Sequence, residues 1–240
     1  MIDYVLAACL LLALPARAVL RSLSVNKAPT NPTRIYLQTG LLVSVLLTLL
    51  AWNWLNNNRA ITELGLDIPL SSGGIIGLYI AGALVITVFI CTVVAHLRGT
   101  RLPNNHQHSQ PADNNALPKT RAELAVCLIF AVFISVGWEL LYRGFLMWFL
   151  VPTTGIVAGV FIAALAYGAS HSFKTRQQLL GSMISAFLFT IAYAFTGSLW
   201  WLMLIHIAMV ITGSMVSYHM ANGGLKVSAD EHAEIVKAAD

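Results

Sequence analysis

From Gln177 to Leu225 the chain carries no Asp, Glu, Lys or Arg. A stretch that long without formal charge cannot clothe a surface facing water, so it belongs in lipid. Upstream the pattern is the same: between Leu124 and Leu225 the formal charges are Glu139, Arg143, Lys174 and Arg176 alone. Across 240 residues 10% are charged and 58% apolar, and the mean hydropathy is +0.74. Soluble domains carry about 25% charged residues. These values exclude an ordinary soluble enzyme, a disordered chain and a disulfide scaffold, and predict an all-α, polytopic membrane helix bundle. At about 20 residues per crossing, the length suits six to eight helices and leaves no room for a second sizeable domain.

Runs nearly free of charge place the helices at Tyr4–Ala16, continuing through Arg17 towards Leu20, then Tyr36–Leu55, Ile75–Leu97, Leu124–Val151 (interrupted only by Glu139 and Arg143) and Ile156–Ser170, with two more either side of Thr196-Gly197-Ser198. The first is short. Trp52 and Trp54 read as interfacial anchors at the end of the second. The loops holding Arg17, Arg21, Lys27 and Arg34, then Arg98, Arg101, Lys119 and Arg121, then Lys174 and Arg176, alternate with neutral or acidic ones. Basic loops stay in the cytoplasm, which predicts seven spans, N-terminus out and C-terminus in. The net charge of +4 therefore reports orientation, and no nucleic-acid partner is expected. The start Met1-Ile2-Asp3 lacks the basic region of a signal peptide. Cys9, Cys91 and Cys127 lie far apart in apolar runs and read as small buried hydrophobes.

The organisation follows: N-terminal transmembrane helices over 1–98, a polar cytoplasmic linker over 99–120, a helix bundle bearing the chemistry over 121–222, and a cytoplasmic tail over 223–240. The linker is rich in Pro, Asn and Gln, and its His106 and His108, with His96 nearby, read as polar filler.

Ionisable groups inside a bilayer are costly and mark functional sites by default. Here they reduce to Glu139, Arg143, His171 and His206, with His219 near the cytoplasmic exit. Glu139 and Arg143, four apart on one helix, can also simply neutralise each other. Glu139 precedes Pro152 by 13 residues and His171 follows Gly155 by 16, which puts them roughly 20 and 24 Å from the hairpin between their helices. His206 lies roughly 12 Å beyond the next turn on the same side. One carboxylate and two imidazoles at compatible depth are the ingredients of a hydrolytic metal site in a helix bundle. Gly155, Gly159 and Ala163, continued at the same spacing by Tyr167 and His171, form a small-residue stripe that permits close helix approach.

Three boxes in this region resemble the CPBP intramembrane endopeptidases, the family of the CAAX-prenyl protease and of the Abi bacteriocin-immunity proteins. Trp138-Glu139-Leu140-Leu141-Tyr142-Arg143-Gly144 is similar to the family's EExxxR-G box. Tyr167-Gly168-Ala169-Ser170-His171 resembles its aromatic-xxx-His box, and His206 through Val210, after Thr196-Gly197-Ser198-Leu199-Trp200, its His-xxx-Asn box. Glu63-Leu64-Gly65-Leu66 is similar to an upstream "LGL" segment. The resemblance covers about residues 121–215 and implies a metal-dependent intramembrane endopeptidase at the plasma membrane, acting on a membrane-associated or prenylated peptide or protein. It implies Glu139, Arg143, His171 and His206 as catalytic residues, and His171, His206 and Glu139 as ligands of a divalent metal such as zinc. Membrane lipid and a peptide or protein substrate are the implied partners.

Two positions depart from the family pattern. Arg143 sets the register, so Trp138 stands where the family has its first glutamate, the usual water-activating base, and Val210 stands where it has asparagine. Glu139 is then left as base or third ligand, with Arg143 as its charge partner and Tyr142 or Ser170 as substitute bases. The alternative reading is a catalytically impaired CPBP-fold adaptor or immunity protein. A proton-relay transporter ranks last, because neither inverted repeats nor paired broken helices are visible.

Overall fold

The computed structural model describes residues 1–23, 32–97, 120–171, 175–215 and 218. The described residues form seven helices and no strand. They are α1 (Ile2–Leu23), α2 (Pro32–Asn56), α3 (Ser72–Leu97), α4 (Arg121–Thr154), α5 (Ile156–Ala169), α6 (Arg176–Thr196) and α7 (Trp200–Met215). Five are long and apolar enough to cross a membrane, while α5 and α7 are shorter apolar helices. The all-α membrane bundle expected from hydropathy is therefore present. His219, the tail over 223–240 and all of the linker except Thr120 lie outside the described residues.

Local chemistry sets the helix ends. Thr120 caps α4, accepting from the Glu123 amide at 3.1 Å while its own amide donates to the Glu123 carboxylate at 3.3 Å, which satisfies two otherwise orphaned donors. Thr175 caps α6 similarly, through the Gln178 amide. Pro152 does not end α4, contrary to the turn expected at that residue. The helix continues through it to Thr154 and breaks at Gly155, where φ is +78°, a conformation that suits a residue without Cβ. Gly197, with φ +65°, ends α6 in the same way.

The bundle is apolar outside as well as inside. α3 has a mean hydropathy of 2.5 over its best window, yet only 17% of that window is buried. Its Ile80, Ile86, Phe89 and Ile90 face outward. In lipid such a face costs nothing, and association rests on close packing and polar contacts instead. The tightest approach of α5 to α6 is at Gly168, where an added Cβ would stand 2.5 Å from Met183 Sδ and 3.2 Å from its Cα. Gly168 is not part of the expected stripe, of which Gly155 has open space around it, Gly159 faces Val151 of the preceding hairpin arm and Ala163 is buried.

Two wide turns interrupt the long helices. α1 is π-helical over Cys9–Ala13 and α4 over Leu140–Leu146. Such segments shift carbonyls out of the ordinary register. The Leu10 carbonyl, inside the first, accepts the Tyr142 hydroxyl, inside the second, at 3.0 Å. At the far end, Arg59 forms a bidentate pair with Asp3 at 2.8 Å and lies over the rings of Trp54 and Trp148 at 5.2 and 4.4 Å. The Asp3 hydrogen bond raises the Arg59 pKa. Trp54 is consequently buried, its indole donating to the Ala60 carbonyl; only Trp52 is exposed as an anchor would be. Of the cysteines, Cys127 is buried, Cys9 half-buried and Cys91 exposed, and all are free.

Replacing Gly168 by Val should overpack the α5–α6 contact and destabilise the protein by about 1–3 kcal/mol. Fluorescence-detected size exclusion after graded heating of purified protein in detergent should show the lower midpoint, with Gly181→Ala, where an added Cβ meets nothing within 4 Å, as the comparison.

Candidate functional site

The middle of α4 carries the only buried charges among the described residues. Glu139 and Arg143 are both inaccessible to solvent, one turn apart across the start of the π segment. Arg143 Nη1 donates to Glu139 Oε1 at 2.9 Å, and Arg143 Nε reaches Thr190 Oγ1 on α6 at 3.3 Å. His206 Nδ1, from α7, meets the same Glu139 Oε1 at 2.7 Å. A carboxylate accepts, so the imidazole proton sits on Nδ1 and the Nε2 lone pair is left for another partner. His206 retains 14% of its side-chain exposure against 1% for Glu139, which makes it the member of the trio that meets the outside. Glu139 Oε2 and Arg143 Nη2 have no protein hydrogen-bond partner.

α5 adds a second layer. The Tyr167 ring centroid lies 3.9 Å from Arg143 Cζ and 4.6 Å from the His171 ring, which meets it edge-on. His171 follows the end of α5 and is exposed. Its Nδ1 pairs with the Tyr167 carbonyl at 3.0 Å, which again leaves Nε2 for a partner. His171 lies within electrostatic reach of Glu139, Arg143 and His206 without joining their hydrogen-bonded group. The Tyr142 ring packs on Tyr167 at 5.0 Å, and its hydroxyl sits between the Leu10 carbonyl and Ser170 Oγ, the latter at 2.6 Å. Held this way, Tyr142 ties α1, α4 and α5 together, and its hydroxyl is occupied.

The four residues singled out by charge therefore do gather, but as a buried pair plus one imidazole, with the second imidazole across a tyrosine. The expected ligand set of Glu139, His171 and His206 is a different matter. Among the described residues no group of three His, Cys, Asp or Glu side chains is placed to hold a metal ion. Glu139 Oε1 already takes two donors, one of them a guanidinium. As folded, these three side chains are not arranged as a three-ligand centre.

Residues 120–212, from the cap of α4 into α7, match the family model described as type II CAAX prenyl endopeptidase Rce1-like. This segment is similar to that family. All four candidate residues fall inside it, and residues 1–119 lie outside the match. Comparison with curated proteins and with solved structures returned no match. The matched segment does not stand alone in the fold. Its π turn is held by α1 through Tyr142, and Leu64 and Gly65 of the "LGL" segment press on it. The Leu64 carbonyl would lie 3.0 Å from a Cβ at Gly144, and the Gly65 carbonyl accepts from the Leu199 amide at 2.8 Å.

Thr190 is a polar partner that charge counting overlooks. It is buried, bonded to Arg143 Nε, and also donates to the Ala186 carbonyl. A threonine in an apolar helix carries no signal of its own, since its hydroxyl is usually satisfied within the helix.

Replacing Arg143 by Met should leave the Glu139 carboxylate buried without its guanidinium and cost about 3–5 kcal/mol. The double change Glu139→Gln with Arg143→Met should recover much of that loss. A double-mutant cycle on thermal midpoints in detergent measures this coupling, and additive single effects would contradict it.

Proposed function

We propose that this chain is an intramembrane endopeptidase of the CAAX-prenyl type, residing in the plasma membrane, in which His206 is the water-activating base and Glu139 its orienting carboxylate. The observation that supports this reading most is the 2.7 Å contact of His206 Nδ1 with Glu139 Oε1. A carboxylate behind an imidazole fixes its tautomer, leaves Nε2 as the basic atom and stabilises the imidazolium that forms. Arg143 balances the carboxylate in a low-dielectric interior, and Tyr167 backs the guanidinium.

The step is a plain hydrolysis. His206 Nε2 takes a proton from water as its oxygen attacks the scissile carbonyl, and the imidazolium then gives that proton to the departing amine. His171, exposed beside the trio, is the second polar group available to the reacting carbonyl or water. Trp138, whose ring lies tilted at 5.7 Å from that of Tyr142, supplies an apolar wall where the family pattern has a carboxylate. The substrate class follows the family description, a prenylated C-terminal peptide whose lipid partitions into the bilayer.

A prenylated CaaX peptide incubated with purified protein should lose its three terminal residues, as read by mass spectrometry. His206→Ala should lower kcat by about 10²–10⁴, the usual contribution of a general base, with substrate binding retained. Dialysis against EDTA should leave the wild-type rate unchanged. A rate abolished by chelation and restored by zinc would return the chemistry to a metal centre.

The second reading, an adaptor or immunity protein on the same scaffold, is favoured by Trp138 and Val210 standing where the resemblance expects glutamate and asparagine. It predicts no turnover by wild type, and turnover gained when Trp138→Glu and Val210→Asn are combined.

A further inference from the structure

Inside the π segment of α1 the Leu14 amide reaches back to the Cys9 carbonyl. In that register the Leu10 carbonyl would be served by the next amide, but the next residue is Pro15, which has no N–H. Leu10 is fully buried, and a carbonyl left there without a donor is costly. The donor comes from α4: the Tyr142 hydroxyl, at 3.0 Å. The Tyr142 ring is itself fully buried, set between Tyr167 at 5.0 Å and Trp138 at 5.7 Å.

With its proton given to α1, the Tyr142 oxygen remains an acceptor, and Ser170 Oγ lies 2.6 Å from it. Ser170 caps the end of α5 and directly precedes His171. His171 is set against Tyr167, through the carbonyl at 3.0 Å and the ring at 4.6 Å. The contacts thus run from the Leu10 carbonyl through Tyr142 and Ser170 to the residue beside His171, across α1, α4 and α5.

We propose that Tyr142 is a positioning residue for His171. Its hydroxyl, oriented by the Leu10 carbonyl, ties the end of α5 to α4 and so fixes the exposed imidazole relative to Glu139 and His206. The proposal rests on the endopeptidase reading above and gives α1, which lies outside residues 120–212, a part in it. Tyr142 acts through Ser170, not on the substrate. Position matters because a displacement of about 1 Å at a group facing the reacting carbonyl costs up to about 10²-fold in rate. Tyr142→Phe cuts the tether and keeps the ring, and Ser170→Ala cuts it from the other side. Ser170 borders a cavity of about 90 Å³, which has room for the extra methyl of Ser170→Thr while the hydroxyl is kept.

The test combines hydrogen–deuterium exchange with steady-state kinetics on the full-length protein in detergent, well below its thermal midpoint. In Tyr142→Phe and in Ser170→Ala, amides over residues 166–171 should exchange about fivefold faster, the worth of one hydrogen bond. Amides over residues 200–210 should keep the wild-type rate. With a prenylated CaaX peptide, kcat should fall about tenfold or more and KM should stay within about twofold. Ser170→Ala should do this without lowering the thermal midpoint, since alanine is the better helix former, and Ser170→Thr should recover both exchange and kcat. Unchanged exchange in both variants would overturn the proposal. So would faster exchange with kcat intact, a kcat that falls only where the thermal midpoint falls, or a threonine that rescues neither. A wild type that cleaves nothing removes the endopeptidase reading instead, and exchange alone then decides whether Tyr142 holds the end of α5.

Discussion

One carboxylate oxygen, Glu139 Oε1, accepts from a guanidinium and from an imidazole in a position without solvent. Charges in such surroundings are tolerated only as a set, so the three helices that supply the set are held in one arrangement. α4 brings Glu139 and Arg143, α6 brings Thr190 to the guanidinium, and α7 brings His206. Tyr167 of α5 closes the group by covering the guanidinium face. In a medium where apolar surfaces have no preference for each other over lipid, these polar contacts do what an apolar core does in water. They select which helices are neighbours.

The gradient of exposure across the group gives it a direction. Glu139 and Arg143 are shut away, His206 is partly open, and His171 is open. A proton taken up from outside would be met first by an imidazole, with the carboxylate behind it stabilising the charge.

Much of this was legible in the sequence, for a physical reason. Membrane helices announce themselves by lacking charge, so the few ionisable side chains left inside stand out; Glu139, Arg143 and His206 do meet, as their depths allowed. Depth alone does not decide azimuth. His171 packs on Tyr167, the ring that also covers Arg143, and follows the end of α5 at Ala169 instead of joining the hydrogen-bonded group. The buried state of Trp54 was hidden for a similar reason: its partners, Arg59 and Trp148, are distant in sequence and their contact follows from the α1–α2–α4 packing. Thr190 and the Leu10 carbonyl left no trace in composition, the first because threonine is common in such helices, the second because it belongs to the backbone.

The π segment over Leu140–Leu146 begins directly after Glu139 and ends directly before Met147. Each residue added to a helical turn rotates everything downstream relative to what lies upstream. The two arms of α4 therefore obey different phases: a wheel drawn for one misplaces the side chains of the other. Deleting a single residue inside that segment would turn the Trp148 arm away from Arg59 or the Glu139 arm away from His206. The indel tolerance of this helix is thus set by the need to serve two clients on either side of the π segment at once.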